Sequence, residues 1–225
     1  MRISPEQKDI IDKVINCFET GKKEGVYHQV TILPDGPGKQ RQVTYGKAQV
    51  TEFGRLKELL LLYKNANGIY RAEIAKGIDQ IGKWTLADNK NFKAALRFAG
   101  LNDPKMRECQ DLIFDRYYYE PAKKWCNENG FTSALALLVV YDSFIHSGAV
   151  PVHLRRQFPE AVPINGGEEQ KWLQQYVETR HAWFVNHTNE LLRNCTYRTR
   201  CFKDMLKCGN WDLSKKPIVA NGVTL

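Results

Sequence analysis

The chain has 225 residues, of which 43% are hydrophobic and 26% charged, and it carries a net charge of +8. That length supports one substantial core, or a core shared between two lobes, and the composition excludes a disordered, collagen-like or low-complexity chain. The longest apolar run, Ala134 to Val140, falls far short of the ~20 residues that a membrane span needs, so no membrane partner is expected.

Ser4-Pro5-Glu6-Gln7 reads as a helix start, with Ser as cap, Pro in the first turn and Gln at the capping-box position. Ile10, Ile11, Val14, Ile15 and Phe18 then form an apolar stripe, and Gly21 ends the helix. "VYHQVTIL" and "RQVTYGKAQV" read as two strands of a hairpin, joined through the turn Asp35-Gly36-Pro37-Gly38. Beyond Gly54 the periodicity is helical throughout, over about 55–64, 69–81, 88–99, 103–128, 131–146, 167–193 and 196–208. "FTSALALLVVYDSFIHSG" is apolar on every side over its first two turns, which places it in the middle of a bundle. The basic run "RNCTYRTRCFKDMLK" reads as a solvated face rather than a nucleic-acid arm. Mainly α with one small early β-hairpin is the expected class.

The six cysteines form no CxxC pair and no zinc spacing, and the five histidines form no HExxH set. Neither a metal nor a cofactor is expected. Reduced thiols are the plain reading, with Cys195, Cys201 and Cys208 the ones close enough together to pair in an exported protein.

Two carboxylates and a threonine carry the chemistry. Glu19 lies four residues beyond Ile15 and eight beyond Ile11, at the border of the apolar stripe. A carboxyl partly removed from water suits a general acid, although a last-turn Glu leaning into solvent fits the same spacing. Asp35 follows in the hairpin turn, and Thr44 on the returning strand offers a hydroxyl for a water. Hydrolysis of a glycosidic bond needs one carboxylic acid to protonate the leaving oxygen and one carboxylate to activate water or attack.

These stretches resemble the chitosanases of glycoside hydrolase family 46, and more distantly the phage-type lysozymes of the same superfamily. "VINCFETG" is similar to the family's first helix with its catalytic Glu, and "DG" followed by "VTYG" to the hairpin with the second acid and the water-binding Thr. "DRYYYEPA", "VYDSFIHSG", "NGGEEQKWLQQYVETR" and "LKCGNWDL" resemble further family stretches in the same order. The resemblance implies a single lysozyme-like, two-lobed catalytic domain over 1–225 with a substrate cleft. Its small lobe would take about 1–54 plus part of the C-terminal region, and its helical lobe about 55–208. It implies Glu19 as general acid, Asp35 as general base, Thr44 as holder of the nucleophilic water, and an inverting mechanism. It also implies a charge network behind the acid, matched here by Asp142, Arg180 and Arg155; an ordinary buried ion pair is the other reading of Asp142 and Arg180.

The hairpin departs from the family's compact Asp-Gly-Arg-Gly-Tyr-Thr by four extra residues between Asp35 and Thr44, with Pro37 in place of the Arg. Glu52, just past the second strand, is therefore a rival second carboxylate. Acids available to a polycationic substrate are Glu52, Asp142, Glu168 and Glu169, and helical geometry puts Glu169, Tyr176 and Arg180 on one face. Tyr27, Tyr45, Trp84, Tyr117, Tyr118, Tyr119 and Trp172 are candidates for sugar stacking or for the core.

The expected partner is a polysaccharide, chitosan ahead of peptidoglycan on the resemblance, cleaved internally at β-1,4 bonds by a monomeric enzyme. A polyanion- or glycan-binding protein without catalysis is the alternative of another class; nucleic acid is not an expected partner. Secretion or delivery outside the producing cell is expected, although "MRISPEQKDIID" shows no apolar signal segment.

Overall fold

A computed structural model describes residues 1–47, 49–83 and 86–225. The architecture is mainly α with small antiparallel sheets, and the chain divides into two compact units, 1–24 with 116–225, and 25–115. The first helix thus groups with the C-terminal helices, whereas the sequence expectation put it with the hairpin. Its apolar stripe sets what it must bury but does not say against which partner. Here Phe18 packs edge-on to Tyr197 and Phe202. Among the described residues no helix is long and apolar enough to cross a membrane.

In the first unit, α1 (Pro5–Thr20) starts on the expected capping box and stops at Gly21 in the left-handed conformation. Then come α6 (Glu120–Glu128), α7 (Ala134–Ser147), the short α8 (Val152–Arg155), α9 (Glu169–Val185), the short α10 (Glu190–Arg193) and α11 (Thr196–Lys207). Helix α7 is buried continuously from Ala134 to Ser143, as its all-round apolar sequence requires. Each fully buried Leu or Val on it contributes about 1.5–3 kcal/mol. Around it pack Trp172, Phe131, Phe158 and Tyr176 in an aromatic cluster. A final hairpin, β4 (Val219–Ala220) and β5 (Val223–Thr224), turns at Asn221-Gly222, both with positive φ. Asn-Gly between apolar residues is a hairpin signal that was present in the sequence and unread.

The second unit holds β1 (Val30–Leu33), β2 (Gln42–Tyr45), β3 (Val50–Thr51) and helices α2 (Leu56–Asn65), α3 (Arg71–Ile78), α4 (Lys90–Asn102) and α5 (Pro104–Phe114). The expected two-stranded hairpin is a three-stranded sheet in the order β1-β2-β3, because Gly46 at φ +77° turns the second run back on itself. The expected helix over 103–128 is interrupted by a π-turn at Asp115–Tyr119. Pro121 has no N–H to return to residue 117, so the regular ladder fails there. The expected helix over 167–193 likewise ends at Val185, and Asn189 caps a separate turn by accepting from the Leu191 N–H.

Candidate active site

Helix α1 delivers Glu19 at its last turn, and that turn is tied down from outside. Gly21 N–H and Asn221 Nδ2 both donate to the Cys17 carbonyl, and Tyr197 Oη donates to the Phe18 carbonyl at 2.9 Å. Two of the backbone carbonyls that a helix end leaves unpaired are thereby met next to the proposed acid.

The Glu19 side chain is 27% exposed, and its Oε1 accepts from Arg198 Nη2 at 2.6 Å. Arg198 Nη1 donates to Asp142 Oδ1 at 2.6 Å, and Arg180 Nη1 donates to Asp142 Oδ2 at 2.6 Å. Glu19, Arg198, Asp142 and Arg180 therefore form one line of alternating charge. Two acids face two guanidiniums, so the buried part of the line carries no large net charge, the condition for keeping ions out of water. The Arg198 guanidinium also lies over the Phe18 ring at 5.4 Å and the Tyr197 ring at 5.5 Å. Burial alone would raise the Asp142 carboxyl, but Arg180 and Arg198 outweigh it and hold the group below the usual carboxylate range. Burial would lower Arg198, and Asp142 with Glu19 more than reverse this. Beside the line, burial and the arginines push His146 down to about 4.

Asp142 and Arg180 stand where the sequence put them, whereas Arg155 does not join the line. Its guanidinium donates to the Phe158 and Glu160 carbonyls and stacks on Phe158, clamping its own loop. Arg198 fills that place. It lay inside the basic run read as a solvated face, yet Arg198, Cys201, Phe202 and Met205 follow helical spacing and are all buried. That periodicity was the available signal.

In the second unit, the four extra hairpin residues fold into a closed loop. Gly36 N–H donates to the Gln40 carbonyl around a single 3-10 turn at Pro37–Lys39, and Leu33 pairs with Gln42 in the ladder. A Cβ on Gly36 would meet the Phe53 ring at 2.8 Å and the Gln40 carbonyl at 2.9 Å, so the glycine is required. The insertion thus bulges beyond the strands and leaves Asp35 beside β2, its Oδ1 accepting from Gln42 Nε2 at 2.8 Å. Thr44 is 3% exposed, and its Oγ1 is buried without a hydrogen-bond partner among the described residues.

The remaining candidates are occupied elsewhere. Glu52 is 3% exposed, with Oε2 accepting from Val43 N–H and Oε1 from Gly82 N–H, and burial raises its carboxyl above the usual range. Both of its oxygens hold backbone, and its burial keeps them from a substrate in solution. Glu169 accepts from Thr132 N–H, Thr132 Oγ1 and Ser133 N–H, fastening the start of α7. Tyr45 and Tyr176 are fully buried, with hydroxyls bonded to the Leu96 carbonyl and to Ser143 Oγ, and Trp172 is core. Tyr119 packs on Tyr141, and Tyr27 Oη donates to Asp111. Tyr117 and Tyr118 are partly exposed, as is Glu168 to a greater degree, while Trp84 lies outside the described residues. Among the described residues no cluster of His, Cys, Asp or Glu is arranged to hold a metal ion.

Comparison with known proteins places residues 77–218 within the model of glycosyl hydrolase family 46. The chain is 28% identical over 229 residues to a chitosanase of Bacillus subtilis strain 168, covering 94% of this chain and 81% of that protein. The crystal structure of native chitosanase from Bacillus subtilis MY002 superposes with a TM-score of 0.80 at 24% identity over 100% of both chains. A family 46 chitosanase of Gynuella sunshinyii in complex with chitotetraose gives 0.77 at 22% identity, over 100% of this chain and 98% of that one. The E19A mutant of the MY002 chitosanase complexed with 6 GlcN gives 0.75 at 26% identity, over 99% and 96%. The lysozyme-like fold of these structures is the fold of this chain.

Proposed function

Because the chain belongs to glycosyl hydrolase family 46, we propose that it cleaves internal β-1,4 bonds of chitosan with inversion, using Glu19 as general acid, Asp35 as general base and Thr44 to hold the attacking water. The whole chain acts as one catalytic domain, and a polymeric substrate puts its work outside the producing cell. The observation that carries the assignment is the line Glu19–Arg198–Asp142–Arg180. A surface Glu seldom has a buried, charge-balanced support built behind it. Arg198 engages Oε1 alone, so Oε2 remains to carry the proton to the leaving oxygen.

In the step itself, water oxygen attacks the anomeric carbon from the face opposite the leaving group. Asp35 takes one water proton while Glu19 gives its own to the departing sugar oxygen, and the C–O bond breaks. An inverting pair needs its carboxyl groups roughly 6.5–9.5 Å apart to admit that water. Thr44, whose hydroxyl has no hydrogen-bond partner among the described residues, is the group assigned to orient it. Chitosan takes precedence over peptidoglycan because the relatives that carry a substrate in their names are chitosanases.

The test is a panel digest of chitosan, chitin and peptidoglycan, read by mass spectrometry, with wild type and Glu19→Gln. Glucosamine oligomers from chitosan are expected from wild type only. Muropeptides as the main product would move the substrate, and full activity in a folded Glu19→Gln would sink the assignment of the acid.

A further inference from the structure

The hairpin that carries Asp35 contains a second polar side chain with no role in the mechanism so far. Gln42, at the first position of β2, is 4% exposed. A buried carboxamide is costly unless both of its ends are bonded. Here Oε1 accepts from Phe53 N–H at 3.3 Å, and Nε2 donates to Asp35 Oδ1 at 2.8 Å. A backbone N–H can only donate, so the Phe53 contact dictates which end of the amide faces it. The NH2 group is therefore turned towards Asp35 by a partner outside the hairpin turn.

Two further observations make this contact specific. Gln42 and Thr44 are two residues apart on one strand, so their side chains leave the same face of β2. Among the described residues the neighbouring cations do not hold Asp35. Lys39 makes no ion pair with it, and Arg41 is engaged by Asp88 at 3.0 Å. The acid nearest in the sheet, Glu52, is committed to the amides of Val43 and Gly82 and so braces the same strand from its backbone.

We propose that Gln42 is a positioning residue of the reaction: clamped by Phe53 N–H, its amide holds the Asp35 carboxylate on the face of β2 that presents Thr44. It does not touch substrate. Its effect is to replace the rotational freedom of an exposed Asp in a turn with one orientation. The proposal rests on the reading of Asp35 as the base.

The experiment measures kcat and KM on a chitosan oligomer, with a thermal melt for each variant. Gln42→Glu keeps an oxygen for Phe53 N–H but sets a second carboxylate against Asp35, and Gln42→Leu removes both bonds. In both, kcat is expected to fall about 10- to 100-fold with KM nearly unchanged, the range that a misplaced catalytic group commands. Adding Gln42→Leu to Asp35→Asn should cost nothing further, since the two act as one unit. Should Gln42→Leu lose its cooperative melt, Gln42→Glu decides. Wild-type kcat in a folded Gln42 variant, beside an inactive Asp35→Asn, would overturn this proposal alone. Full activity in Asp35→Asn would instead remove the base assignment, and this inference with it.

Discussion

Replacing Asp142 by Asn probes the charge line at its centre. The carboxylate is fully buried and accepts from two guanidiniums at 2.6 Å each. An amide of the same shape can accept from one of them, but its NH2 must face the other, donor against donor. Each charge-assisted bond is worth about 1.5–3 kcal/mol, and leaving a buried ion without its partner costs about 3–5 kcal/mol. These figures overlap rather than add, so the expected loss is about 3–5 kcal/mol. For a chain of this length about 2–4 °C accompanies each kcal/mol, and the melting temperature should fall by about 6–20 °C. The sign on activity follows from the same geometry. With Asp142 neutral, Arg198 loses one of the two carboxylates that fix it beside Glu19, so kcat should fall as well. Thermal melts and steady-state kinetics read both effects. A melt within about two degrees of wild type and an unchanged kcat, set against the ~2–4 °C per kcal/mol above, would refute the reasoning.

Arg198→Lys keeps the charge but replaces a planar fork with a single point, which cannot bridge Glu19 and Asp142 together; kcat should fall about 10- to 100-fold with little change in KM, by steady-state kinetics. Glu52→Gln turns an NH2 group towards either Val43 N–H or Gly82 N–H, and urea titration should show a loss of about 1–3 kcal/mol. His146, held down to about 4 in the fold, stays neutral while the unfolded chain takes up a proton near its ordinary value. Its contribution is therefore full above about pH 6.5 and is lost as pH falls towards 4. After allowance for its partial exposure the loss amounts to about 1–2 kcal/mol, and His146→Gln should flatten the stability–pH curve in that window.

Much of this was legible in the sequence where local rules and tertiary demands agree. The capping box at Ser4, the stop at Gly21 and the stripe from Ile11 to Phe18 delivered Glu19 to the rim of the core, and the all-apolar start of α7 required a central place. Asp142 and Arg180 were implied by the family resemblance, and helical spacing, which sets Arg180 on one face with Tyr176, agreed with it. The errors arose where a side chain's partner is remote. Arg155 and Arg198 are both basic residues near helices, and only the apolar company of Arg198 along α11 separates them. Glu52 was a rival because of the longer turn between Asp35 and Thr44, and the bonds that occupy it reach as far as the amide of Gly82, thirty residues away. Tyr45, Tyr176 and Trp172 went to the core, as aromatics at packing periodicity usually do. Spacing alone also does not reveal how the longer turn folds: its extra residues close on themselves through Gly36 and Gln40.

The central claim is that Glu19 protonates the leaving oxygen while water enters from the opposite face. Proton NMR of a chitosan oligomer during the first minutes of hydrolysis tests it most directly. The α-anomer should appear first with wild type, before mutarotation, and no product should appear with Glu19→Gln. Initial β-anomer, or undiminished product from a folded Glu19→Gln, would contradict the account.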